Sequence, residues 1–322
     1  MSGKFLHPSE VIIRWPLYAI VLGMAILNTL VLLLTRADLK MEDMPVLLMF
    51  GAFLGAGFFA LRRTVLLSDS APRALTTAMH LFEGLFFLHI TWLNLRLLNH
   101  LTMLIPFPYA DDMLMRWDRA LGFDWMAIFT FSHDRPLLLA MMDACYSSLT
   151  GVSVVAMLLL ISLGHLDRAR FFVETFFYTA LACIIVGVAF PAKAAVMFLI
   201  PDISAYPNFT EMPGILHVPH MERLRDTASA SVLLDPLVLP GLVAFPSFHT
   251  ASGVLIIAAF WRTWLFLPAT TYALIMIAAT PIYGGHYLVD LVSGVAFPLA
   301  VIAVRRGFNP RDNIGRKALV PA

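Results

Sequence analysis

The chain has 322 residues, a length that in a soluble protein suggests two domains. Its composition, 60% hydrophobic and only 13% charged with a mean hydropathy of +0.81, excludes an ordinary soluble domain and reads as an integral membrane protein. The formal net charge of +1, from 22 Lys and Arg against 21 Asp and Glu, excludes the broad basic field that a nucleic-acid partner requires.

A membrane-spanning helix needs about 20 mostly apolar residues, and eight stretches approach that requirement in chain order. They are Trp15–Leu34, Met44–Leu61, Ala74–Leu98, Leu137–Leu163, Phe171–Phe190, Ser247–Trp261, Leu265–Tyr283 and Tyr287–Val304. The fold class expected is therefore all-α, a polytopic membrane helical bundle of about eight transmembrane helices. No small-residue cleavage site follows the first run before Arg36, so it reads as a retained span and not as a signal peptide. Eight spans put both termini on one side, and that side then carries 13 of the 22 Lys and Arg. By the positive-inside rule the termini are expected in the cytoplasm and the long loops on the periplasmic, lumenal or extracellular face.

Two long loops, 99–134 and 191–246, lie on that opposite side. In the first, Leu114, Trp117, Leu121 and Trp125 recur at helical spacing, while Asp111, Asp112, Arg116, Asp118 and Arg119 fill other faces. That pattern suits an amphipathic helix lying on the membrane surface, or equally a solvated loop helix. The second loop holds eight of the chain's 20 prolines, which excludes a long regular helix through it. Cys145 and Cys183 both sit inside apolar runs, where they read as packing residues.

Titratable groups inside spans are costly, so Glu83, His89, Asp143, Glu174 and Asp290 each require an account. For the first four, interhelical hydrogen bonding or placement at the interface is the simpler reading, and a polar path the alternative. Asp290 is distinguished by its neighbours. In Tyr283-Gly284-Gly285-His286-Tyr287-Leu288-Val289-Asp290 a histidine precedes an aspartate by four residues, so the two share a helix face. A carboxylate there can accept a hydrogen bond from one imidazole N–H and leave the other nitrogen with an outward lone pair, as in an oriented nucleophile or base. Taken alone, His-x-x-x-Asp fits a structural pair better.

A second cluster, Phe245-Pro246-Ser247-Phe248-His249-Thr250, stands just before the apolar run of the sixth span. Pro246 suits the first turn of a helix, Ser247 offers a hydroxyl, and His249 projects toward the same membrane face as His286. Two helix N-termini, a hydroxyl and two histidines describe a phosphate site in which one histidine attacks and the other protonates the leaving oxygen. Ser247 and Gly285 are the expected phosphate contacts within the two clusters.

These motifs, Phe-Pro-Ser-x-His-Thr followed by Gly-His-Tyr-x-x-Asp, resemble the second and third signatures of the type 2 phosphatidic acid phosphatase superfamily. Within it they are similar to the branch of inositol phosphorylceramide synthases and their bacterial relatives, and more distantly to sphingomyelin synthases. The resemblance covers about 224–294. It implies that His286 attacks phosphorus to form a phosphohistidine, that Asp290 orients it, and that His249 is the general acid, with no metal and no cofactor. It also implies a six-helix catalytic core, here 74–304; the two earlier apolar runs then form two helices within 1–73, and the basic residues after the last span form a cytoplasmic tail, 305–322.

Two departures matter. The superfamily's third motif carries an Arg six residues before its histidine, where this chain has Thr280, and its first motif, a Lys and an Arg-Pro pair, is absent. A phosphate in a lipid-facing cleft still needs cations. The candidates are Lys193, Arg223 and Arg225, with Arg225 favoured because Leu224-Arg225-Asp226 resembles a short motif of this branch. The expected activity is movement of a phospho-head-group from a phospholipid donor to a lipid alcohol, with water as acceptor, a lipid phosphate phosphatase, as the alternative. A diester donor carries less charge than a phosphomonoester, which suits a site that has lost an arginine.

Two other functions compete. His217 and His220, joined by His249, His286 and Asp290, could in principle ligate zinc in a metal-dependent membrane hydrolase. Alternatively Glu83, Asp143, Glu174 and Asp290 could line a transport path, although no related halves are visible.

Overall fold

A computed structural model describes residues 10–200, 202–209, 213–226 and 232–308. The helices in order are α1 (Trp15–Leu34), α2 (Met44–Leu67), α3 (Arg73–Leu101), α4 (Asp111–Ala120), α5 (Trp125–His133), α6 (Pro136–Ser147) and α7 (Leu149–Ser162). They continue as α8 (Leu166–Gly187), α9 (Ala195–Leu199), α10 (Pro213–Leu216), α11 (Val218–Arg225), α12 (Phe248–Phe260), α13 (Phe266–Tyr283) and α14 (Leu288–Phe308). Prolines in the first turns of α1, α2 and α6 sit where no intrahelical N–H is needed. The fold is an all-α polytopic membrane bundle.

Among the described residues six helices are long and apolar enough to cross a bilayer, or seven if a bent pair counts as one span. Two of the eight expected spans therefore need correction. The fourth is broken into α6 and α7, which meet at 56°. The break has a local cause: the Cys145 carbonyl accepts the hydroxyls of Ser148 (3.3 Å) and Tyr272 (3.0 Å) beside the junction, and inserted hydroxyls of this kind bend helices. The sixth is only 13 residues, α12, about 20 Å long at 1.5 Å per residue. It packs against α8, α13 and α14 and is approached by an extended segment, so much of its surface meets protein.

The second correction concerns α4. Its buried face is Asp111, Leu114, Met115 and Asp118, whereas Trp117 (41% exposed) and Leu121 (58%) face outward and Trp125 opens the next helix. The carboxylates point inward because they have backbone donors there, as described below.

Long-range ties fix the bundle's two ends. Glu174 binds Arg14 (3.5 Å) and Arg305 (2.8 Å), which places the start of α1 and the end of α14 together. Glu83 accepts the N–H groups of Ile12 (2.9 Å) and Ile13 (2.7 Å), so the chain ahead of α1 is strapped onto α3 at that end. Helix α14 then runs about 30 Å to its first residue at the opposite end. There β1 (Ala37–Leu39), just after α1, pairs in parallel with β2 (Val232–Leu234) of the second long loop. The four acids that a transport path would need thus occupy separate settings: Glu83 and Glu174 as above, Asp143 with Ser147 (2.8 Å), and Asp290 with His286. His89 reaches the Leu47 carbonyl at 3.0 Å.

Candidate active site

The loop from α13 to α14 carries the first histidine motif. Pro281 lies in the last turn of α13, and the Thr280 carbonyl receives the N–H groups of Gly284 (3.0 Å) and His286 (3.4 Å), closing a tight turn. Gly285 has φ +63°, a left-handed conformation that a glycine adopts without strain, and its carbonyl accepts the Ala195 N–H. Thr280 itself is fully buried, with its hydroxyl turned back to the Ile277 carbonyl (2.7 Å). The position that the sequence comparison reserved for an arginine is thus a neutral interior residue.

Nδ1 of His286 lies 3.0 Å from Oδ2 of Asp290, and the same oxygen accepts the Tyr287 N–H at 3.0 Å. Both side chains are buried, at 5% and 0% residue exposure. With Nδ1–H donating to the carboxylate, Nε2 of His286 keeps its lone pair. The His286 carbonyl accepts the indole N–H of Trp125 at 3.2 Å, so both ends of this residue are held.

The second motif caps α12. The Ser247 oxygen accepts the Thr250 N–H at 3.3 Å, and the Ser247 N–H donates to the Asp290 carbonyl at 3.0 Å. This bond joins the two motifs directly. Its close approach depends on Gly294: a Cβ there would stand 2.6 Å from the Ser247 carbonyl oxygen. His249, one residue into the helix, stacks on Tyr146 of α6 with ring centroids 3.9 Å apart and planes 10° apart. The Tyr146 hydroxyl in turn lies against Gly284, so this tyrosine sits between the two histidine motifs.

His249 and His286 both line a cavity of about 720 Å³. From the histidines it extends between α3, α7 and α8 past Leu88, Val154, Met157 and Phe177, and its wall is largely apolar. Tyr146, Gly284, Asn99, Arg96 and His217 also line it.

The amino end of α14 is not an open anion site. Asp118 of α4 accepts the N–H groups of Leu288 (2.8 Å) and Val289 (2.9 Å), and Asp290 takes that of Tyr287. Asp111 receives the Lys193 N–H (3.0 Å) and the Tyr287 hydroxyl (2.9 Å). Burial raises both carboxyls above the ordinary aspartate range, and these donors pull them part of the way back. The expectation that this helix end greets a phosphate is corrected for a simple reason: a carboxylate from α4 already fills it. The free donors of a first turn belong instead to α12, whose N–H groups at Phe248 and His249 precede the one that Ser247 caps.

The sequence-derived phosphate contacts divide accordingly. Ser247 and Gly285 support the site from behind, as a helix cap and a loop anchor, and neither lines the cavity. Lys193 turns its ammonium to Glu222 (2.7 Å), and Arg225 donates to the carbonyls of Met103, Ile105 and Phe107. Both cations lie over the Tyr109 ring, at 5.0 and 4.8 Å, and clasp the two long loops together away from the cavity wall. Arg223 is exposed on α11. The histidines proposed as zinc ligands do not converge: His217 lines the cavity, His220 packs on His100 with centroids 6.4 Å apart, and no cluster of three ligand side chains forms among the described residues.

Against known families, the PAP2 superfamily model matches residues 112–304. The chain belongs to the PAP2 superfamily. It is accordingly a phosphatase or phosphotransferase of the type 2 phosphatidic acid phosphatase kind, a multi-pass membrane enzyme of lipid metabolism. No curated protein and no solved structure matches the chain. Within this PAP2 protein, sequence reasoning missed Tyr146 and the inward role of Asp111 and Asp118. The seven-residue spacing of those two aspartates, which puts them on one helix face, was the available signal; Tyr146 had none.

Proposed function

We propose that this PAP2 protein transfers a phospho-head-group from a phospholipid to a lipid alcohol through a phosphohistidine, in the manner of inositol phosphorylceramide synthases. Nε2 of His286 attacks phosphorus, the bond from phosphorus to the diacylglycerol oxygen breaks, and His249, protonated, gives its proton to that oxygen. Asp290 holds the tautomer of His286 and stabilises the cation formed as the N–P bond is made. In the second half the acceptor hydroxyl attacks the phosphohistidine, neutral His249 takes the hydroxyl proton, and His286 is regenerated. No metal or cofactor takes part. The first-turn N–H groups of α12 are positioned for phosphoryl oxygens.

The observation that carries this reading is that the His286–Asp290 pair and His249 open on one large, mostly apolar cavity. A cavity of this size and lining suits hydrocarbon chains, and a buried neutral Thr280 suits a diester monoanion better than a dianionic monoester. The start of α1 and the end of α14 lie opposite the histidines, which together with the distribution of Lys and Arg supports cytoplasmic termini and a site on the other membrane face. The test supplies purified enzyme with a head-group-labelled phospholipid and a ceramide or diacylglycerol acceptor. A new labelled lipid that depends on the acceptor is expected. Free phosphate released from a phosphomonoester lipid without acceptor dependence would assign the enzyme as a lipid phosphate phosphatase instead.

A further inference from the structure

We propose that Arg96 of α3 is the cation that holds the phosphate group of the lipid in this cavity, an assignment that rests on the phosphoryl-transfer reading above. Arg96 lies outside the stretch matched by the family model, which begins at residue 112. On α3 the spacing of Thr91, Trp92, Leu95, Arg96 and Asn99 sets them along one face, and all five line the cavity shared with His249 and His286. The guanidinium donates to the Leu239 carbonyl at 2.6 Å and lies 4.8 Å from the Trp92 ring centroid. Among the described residues no carboxylate pairs with it.

Other half-buried cations of the chain are answered more fully. Lys40, Lys193 and Arg305 meet Asp235, Glu222 and Glu174, and Arg168, Arg170 and Arg225 each donate to two or three backbone carbonyls. A guanidinium has five N–H donors, so one carbonyl leaves most of them unused on the wall of an apolar cavity inside a membrane bundle. An unmatched charge in that setting is costly and marks a ligand contact. The planar fork of arginine suits phosphate oxygens.

The same face is tied to the catalytic motif. While Arg96 holds Leu239, Asn99 one turn later accepts the Leu242 N–H at 3.0 Å. Two successive turns of α3 therefore clamp the segment that runs into Ser247 and His249. Lys193 and Arg225 are committed to the loop clasp and Thr280 is neutral, so Arg96 replaces the cations that the superfamily motifs would have supplied.

The experiment uses the full chain in nanodiscs. In an inactive His286→Gln background, binding of phosphatidic acid is compared with binding of diacylglycerol of the same chains; Arg96→Gln is then added. The parent is expected to prefer the phosphate-bearing lipid, and Arg96→Gln to remove about tenfold or more of that preference, whereas Arg96→Lys, which keeps the charge, retains most of it. In the active enzyme Arg96→Gln should raise KM more than it lowers kcat. An unchanged preference, or equal losses in the Lys and Gln variants, overturns the role of Arg96. Tight competition by inorganic phosphate that Arg96→Gln abolishes would overturn the lipid assignment in favour of free phosphate. Wild-type enzyme that forms no labelled phosphohistidine would overturn the transfer reading instead, and the binding comparison separates that failure from this one.

Discussion

The two ends of the bundle treat buried polar groups in opposite ways. At the end where α1 begins and α14 finishes, the buried acids are answered by groups of their own chain: Glu83 takes two backbone N–H groups and Glu174 pairs with two arginines. At the other end Asp290 (through Oδ2), Asp118 and Asp111 also accept hydrogen bonds, but they are spent on holding one loop in place, and the groups they position are left facing a cavity. A buried charge answered by its own chain stabilises structure. Polar groups held rigidly by a second layer, with their outer faces open, are arranged for a ligand.

Substitutions at the two ends should therefore separate activity from stability. The largest effect is expected for His286→Gln, which removes the only nucleophile in this mechanism; acceptor-dependent transfer and phosphohistidine labelling should fall by about a thousandfold or more, with thermal unfolding little changed. Wild-type turnover in that variant would remove the proposed chemistry. Next is His249→Ala. Loss of a general acid lowers turnover by about a hundredfold to ten-thousandfold, and the deficit should shrink when nitrophenol is the leaving group. A deficit that stays the same with both substrates would point to binding instead of proton transfer.

The comparison is sharpest for two carboxylates changed in the same way. Asp290→Asn should leave a folded protein that is slow by about a hundredfold or more, because the imidazole loses its fixed tautomer. Glu174→Gln should instead lower stability by about 3 kcal/mol, as expected when one partner of a buried ion pair is lost, and leave turnover per folded molecule near wild type. If the two variants behaved alike in unfolding and in kinetics, the distinction between the ends would collapse. The smallest effect is expected for Ser247→Ala, a loss of about 1 kcal/mol from the α12 cap with turnover within a few-fold. A hundredfold fall in turnover without loss of stability would return Ser247 to direct phosphate contact.

What the sequence determined by itself is what periodicity and short-range spacing encode. Apolar runs gave the helical membrane fold, because a bilayer demands length and hydrophobicity in every span. The four-residue spacing of His286 and Asp290 gave their pairing, although His286 lies in the turn ahead of α14 and not on the helix, because so short a separation keeps the two side chains within reach. Tertiary structure alone decided the contacts between segments far apart in the chain. It set Asp118 on the first turn of α14, 170 positions away, stacked Tyr146 on His249, and brought Arg96 to the cavity that both histidines line. It also turned Arg225 and Lys193 from phosphate candidates into a loop clasp. A charge in a sequence does not say which partner it will meet; the bundle's packing determines which donors are consumed and which are left for a ligand.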